Sequence, residues 1–101
     1  MFLILITMTA SADRVQAALT AHRAFIRDQL DAGTLLLTGL KREDRGETTG
    51  GMMLFRAANR AELSTLLLND AFFCEGIANY AITEFRPSLA ADGLEALLEP
   101  V

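Results

Sequence analysis

Apolar residues recur along this chain with two different periods, and the places where the period changes mark out its elements. Residues 2–8, Phe-Leu-Ile-Leu-Ile-Thr-Met, form a short apolar run rich in aliphatic side chains with no helical repeat, which predicts a strand. Both alternating sets, Phe2/Ile4/Ile6/Met8 and Leu3/Leu5, are apolar. A strand with one face in water would carry one polar set, so this pattern predicts cover on both faces. From Ser11 the repeat lengthens: Val15, Leu19, His22, Ile26 and Leu30 are spaced +4, +3, +4 and +4, one helical stripe. Arg14, Gln16, Thr20, Arg23, Arg27 and Asp31 fall on the outward face. Ser11 can cap this helix, Asp13 suits the dipole of its first turn, and Gly33 can supply a left-handed stop after about Ala32.

The rest of the chain continues the alternation. Thr34 to Leu40 predicts a second strand, Lys41 to Gly51 a polar, glycine-containing loop without an apolar anchor, and Met52 to Ala57 a third strand. Asn59 with Glu62 resembles a capping box opening a second helix whose Leu63, Leu66 and Leu67 face inward. Asn69-Asp70-Ala71 ends that helix or bends it into a further turn reaching Gly76, and Ile77 to Pro87 alternates as a fourth strand. Beyond Ser88, Leu94, Leu97 and Leu98 have the spacing of a short docking helix. The order β-α-β-β-α-β is the ferredoxin-like α+β arrangement with an antiparallel sheet. Its two helices cover one sheet face. The other is too apolar for water, so a homodimer closed by face-to-face sheet packing, a dimeric α/β barrel, is expected.

Composition narrows the picture. The length suits a single domain over residues 1–101, with 88–101 as a C-terminal docking tail. Hydrophobic residues make up 51% of the chain, an excess that burial against a second copy would absorb. Nine basic residues against 13 acidic ones give a net charge of -4, which argues against nucleic acid as a partner. The one basic cluster, Lys41-Arg42 with Arg45, is interrupted by Glu43 and Asp44. Cys74 is the single cysteine, so no internal disulfide forms and nothing calls for an oxidising compartment. The first apolar run has no preceding Lys or Arg and is too short to span a bilayer, so the expectation is a cytoplasmic protein without membrane attachment.

Candidate chemistry centres on His22, the only histidine and the one side chain whose ordinary pKa lies near neutrality. Among aliphatic neighbours it is either a satisfied core residue or a proton-transfer group at a cleft. Cys74 would need an electropositive neighbour to act as a nucleophile, and a small residue packed beside Phe73 is the simpler reading. His22, Asp70, Cys74 and Glu75 match no recognised ligand spacing, so neither a metal nor a cofactor is expected. Met52, Met53 and Phe55 read as core or as cleft lining, Arg42 and Arg45 as solvated loop charges or contacts to an anion, and Tyr80 as a hydroxyl in the cleft or a buried one with a polar partner. Gly50-Gly51 lacks the lysine and the following helix of a phosphate loop.

Taken in order, His22, Leu30, Gly33-Thr-Leu-Leu-Leu-Thr-Gly39, Gly50-Gly51-Met-Met-Leu-Phe55, Asn59-Arg-Ala-Glu62, Asp70-Ala-Phe72, Gly76, Tyr80 and Arg86-Pro87 resemble the YCII-related (YciI-like) family over about residues 1–87. The resemblance implies a ferredoxin-like fold, a dimer with packed sheets, and a cleft holding a His–Asp pair, here His22 and Asp70. Ala71 stands where the family has proline after the aspartate, and Leu40 where a proline commonly follows the glycine of strand two. One branch of relatives is similar to a chlorinated hydroxyhydroquinone dehydrochlorinase, and the fold resembles muconolactone isomerase. Two functions follow as expectations. One is cofactor-free acid–base elimination or isomerisation of a small cyclic compound, with His22 carrying the proton and Asp70 orienting it. The other is a non-catalytic dimeric module that binds a ligand or assembles.

Overall fold

The most apolar strand holds the middle of the sheet. In the computed structural model, which describes residues 1–98, β1 (Phe2–Met8) pairs antiparallel with β3 (Thr48–Phe55) on one side and β4 (Ala78–Glu84) on the other. β2 (Leu35–Arg42) completes the sheet in the order β2-β3-β1-β4. Three helices intervene: α1 (Ala12–Ala32), α2 (Arg60–Leu67) and the short α3 (Ala71–Cys74). The arrangement is the ferredoxin-like α+β fold that the element order predicts.

Strand parity sorts the sheet into two faces. Phe2, Ile4 and Ile6 of β1 join Met53 and Phe55 of β3, Leu35, Phe25 of α1, and Leu63 and Leu67 of α2 in one buried cluster. A second cluster packs Ala18 of α1 against Ala71, Phe72 and Ile77. On the opposite face Leu3, Leu5 and Met52 are about two-fifths exposed, and Leu37 more so.

Helix ends follow the local chemistry. The Ser11 side chain accepts the Arg14 N–H, and Gly33 takes the left-handed conformation (φ 79°) in which its N–H reaches back to the Leu30 carbonyl. Asn59 accepts the Glu62 N–H at 2.9 Å while the Glu62 carboxylate reaches back toward the Ala58 N–H, so α2 opens as the capping pattern predicts.

The expected long loop is mostly strand. β2 extends through Arg42 and β3 begins at Thr48, leaving residues 43–47 to turn the chain, closed by Gly46 N–H to the Glu43 carbonyl. Glycines 50 and 51 read as loop residues because they lack side chains, but the backbone is crowded there. A Cβ at Gly50 would lie 1.8 Å from the Ile6 carbonyl oxygen, and one at Gly51 would lie 2.9 Å from that of Gly39. They are strand glycines of close approach. β2 also carries a bulge: Leu35 pairs with Phe55 but Leu37 with Leu54, so Leu36 is the extra residue. Beyond it Lys41 shares the outer face with Thr7, and its amine donates to the Thr7 hydroxyl at 3.1 Å. In the tail, one 3-10 turn (Glu95–Leu97) replaces the expected docking helix, and Arg56 donates to the Ala96 carbonyl at 2.7 Å. The last three residues of that expected tail lie outside the described residues.

Candidate functional site

α1 buries only part of its apolar stripe against the rest of the molecule. Ala18 and Phe25 sit at the centre of the buried strip, whereas Val15, Leu19, His22 and Ile26 are only partly buried. Those four line a cavity of 520 Å³ between the helix and the β1-β3-β2 side of the sheet. Its far wall consists of Ile6, Met8, Met53 and Phe72 with Thr38 and Leu40 of β2, and Gly51 leaves open the space that a side chain on that face would fill. The stripe that announces the helix is therefore the wall of a cavity rather than the middle of the core.

His22 lies in that wall with 14% of its side chain exposed. Its Nδ1 is 2.7 Å from Oδ1 of Asp70, and its ring stacks on Phe72 with centroids 3.9 Å apart and planes 6° from parallel. Asp70 is fully buried. It sits at the N-cap of α3, where Oδ1 also accepts the Phe72 N–H at 3.1 Å, and the Tyr80 hydroxyl donates to Oδ2. Three donors thus surround one buried carboxylate, the arrangement a charge away from water requires. An ionised carboxylate only accepts, so Nδ1 carries a proton, and in the neutral ring Nε2 keeps the lone pair. No described residue bonds to Nε2, and the cavity is the space His22 opens onto.

The Tyr80 phenol is pushed well above the ordinary phenol range, first by burial and then by its hydrogen bond to Asp70. It stays a neutral donor throughout the working pH range and leans edge-on against Phe73 at 5.2 Å. Its oxygen goes to Asp70 rather than into the cavity.

The structure brings His22 and Asp70 together and sets other candidates apart. Cys74 is exposed, so its reading as a small packed residue beside Phe73 is corrected: the short α3 turns Ala71 and Phe72 inward and leaves the thiol in solvent. Met53 lines the cavity, Phe55 is plain core, and Met52 faces the other side of the sheet. Arg42 and Arg45 are exposed on the hairpin turn and do not line the cavity. Arg23 and Arg27, assigned to the outward face of α1, do line it. Helical phase places their Cα atoms at the stripe's edge, and long side chains reach over such an edge. Phe72 and Tyr80 also have roles that periodicity does not reveal; only their order after Asp70 points to them. Among the described residues no group of three or more His, Cys, Asp and Glu side chains is placed to hold a metal.

The YCII-related domain matches residues 1–86. The chain belongs to that family. No curated protein matches it. Among solved structures it is similar to 5-chloro-2-hydroxyhydroquinone dehydrochlorinase from Burkholderia phenoliruptrix AC1100, solved with 2,5-dihydroxybenzoquinone: TM-score 0.65, 14% identity, over 87% of this chain and 96% of that one. It is also similar to an antibiotic biosynthesis monooxygenase: TM-score 0.53, 11% identity, over 86% and 100% of the two chains. At such identities the likeness establishes the shared ferredoxin-like fold of this YCII-related protein.

Proposed function

We propose that this YCII-related protein is a homodimer whose cavity carries out cofactor-free acid–base chemistry on a small cyclic compound, by elimination or isomerisation. The observation that carries this reading is the pairing of a fully buried Asp70 with Nδ1 of a histidine that lines a 520 Å³ cavity. Such a histidine can accept a proton from a carbon next to a carbonyl. The C–H electron pair moves into the carbonyl to give an enolate, and Nε2 becomes N–H. Asp70 then faces an imidazolium it can stabilise. Returning the proton to another carbon completes an isomerisation. Expelling a leaving group as its anion completes an elimination, and the proton then passes to water. The similarity to a dehydrochlorinase solved with a quinone points toward the second outcome.

The dimer is supported by the uncovered sheet face, where Leu3, Leu5, Leu37 and Met52 are exposed side by side. A second copy of the same sheet would present a matching apolar surface to it.

A non-catalytic ligand-binding or assembly module draws on a specific observation as well. Oδ1 of Asp70 caps α3, so the same carboxylate has a structural task. Incubation with cyclic ketones and hydroxyquinones in heavy water separates the readings. Catalysis predicts solvent deuterium entering the compound, or loss of its leaving group, falling by ~100-fold or more in His22→Gln with fold and assembly kept. A structural histidine predicts a loss on the order of 1–3 kcal/mol in that variant. Unchanged exchange in His22→Gln would overturn the acid–base reading.

A further inference from the structure

We propose that the cavity selects small anions with an apolar, ring-sized body, and that Arg23 and Arg27 are the residues that make the selection. This rests on the small-molecule reading of the cavity given above, and it adds the charge class of the ligand. The interior wall is apolar, built from Ile6, Met8, Leu19, Met53 and Phe72. Apart from His22, the ionisable side chains lining the cavity among the described residues are the two arginines, and no described carboxylate lines it. Asp70 is sealed behind the His22 ring. The local sign is thus opposite to that of the whole chain, whose net charge is -4.

The arginines stand four residues apart on α1, a spacing at which like charges repel and weaken a helix. Asp31 follows Arg27 by four residues, the less favourable order for a helical ion pair, and no described carboxylate pairs with either guanidinium. Two unneutralised forks beside one apolar cavity match a carboxylate, a phenolate or an enolate attached to a ring. A neutral ring would gain the same apolar contacts and none of the charge.

The test uses benzoate and its neutral counterpart benzamide, with binding read from the NMR signals of the single histidine ring and the Phe72 amide. Benzoate should bind saturably at least about tenfold tighter than benzamide, the factor one charge-assisted hydrogen bond delivers. The double variant Arg23→Gln/Arg27→Gln should bring the two affinities together. In the unaltered protein, added salt should weaken benzoate and leave benzamide unchanged, a readout that does not depend on the variant folding. Equal affinities, a preference that survives in the double variant or in high salt, or no saturable response to benzoate would each overturn the proposal. The acid–base reading fails separately: deuterium exchange that is indifferent to His22→Gln removes it, while anion preference at the Phe72 amide of that variant stands.

Discussion

Asp70 satisfies three donors from three elements: the His22 ring of α1, the Phe72 N–H of α3 and the Tyr80 hydroxyl of β4. These hydrogen bonds hold the carboxylate in place with alanine, not a rigid proline, as the next residue. Tyr80→Phe strips one oxygen of its donor inside the core, and equilibrium denaturation should show a loss on the order of 1–3 kcal/mol. Alkali provides a second check. A phenol whose folded pKa is raised keeps its proton to higher pH than the unfolded chain does. The contribution to stability is whole below about pH 10 and disappears as pH rises past that value, where the unfolded chain loses its proton first. Tyr80 is the only tyrosine and the chain has no tryptophan, so its phenolate absorbance is unobscured. That band should appear together with loss of circular dichroism. Phenolate forming near pH 10 in an intact fold would show that the hydroxyl is not held as described. Little of this was legible beforehand. His22 declares itself as the lone imidazole on an apolar stripe, and Asp70 follows from the family resemblance. The Tyr80 bond depends on how tightly α3 turns, which no period in the sequence records.

At the level of elements, residues 2–8 and 12–32 have the bounds their patterns predict, because a dense apolar repeat and a glycine stop leave few alternatives. The hairpin of β2 and β3 departs from the predicted bounds for an equally physical reason. Side-chain patterns cannot report strands whose faces are glycine, and here glycine marks backbone crowding and an empty volume at once. Two of the glycines beside the cavity should respond differently to one added methyl. Gly39→Ala meets nothing within 4 Å and should shift thermal stability by no more than about 0.5 kcal/mol. Gly50→Ala drives a Cβ into the Ile6 backbone and should lose on the order of 3 kcal/mol or fail to fold. Thermal melts of the two variants side by side are the measurement; equal losses would mean the β1–β3 approach is wider than described.

For the whole molecule, the uncovered face and the cavity lie on opposite sides of one sheet. A charge at Leu5, central in that face, should split the proposed dimer while leaving the His22–Asp70 bond in place. Sedimentation of Leu5→Glu should show a monomer where the unaltered chain shows a dimer, since an unpaired carboxylate at a dry interface costs several kcal/mol. An unaltered chain that sediments as a monomer would remove the assembly proposal.

The bulge at Leu36 bears on how the chain tolerates changes in its own length. Leu36 stands outside the ladder, so removing one leucine from Leu35-Leu36-Leu37 shortens β2 without altering which residue faces which. Thr38 stays opposite Met53 and Lys41 stays beside Thr7; what changes is the local twist at the start of β2. Removing Gly39, three positions on, reverses the two sides: Leu40 turns outward and the Lys41 ammonium swings toward the cavity, at a loss of at least ~2 kcal/mol in denaturant melts. A single-residue deletion is thus harmless or ruinous within the span of one turn of strand. At the bulge β2 can lose a residue while inside and outside are preserved.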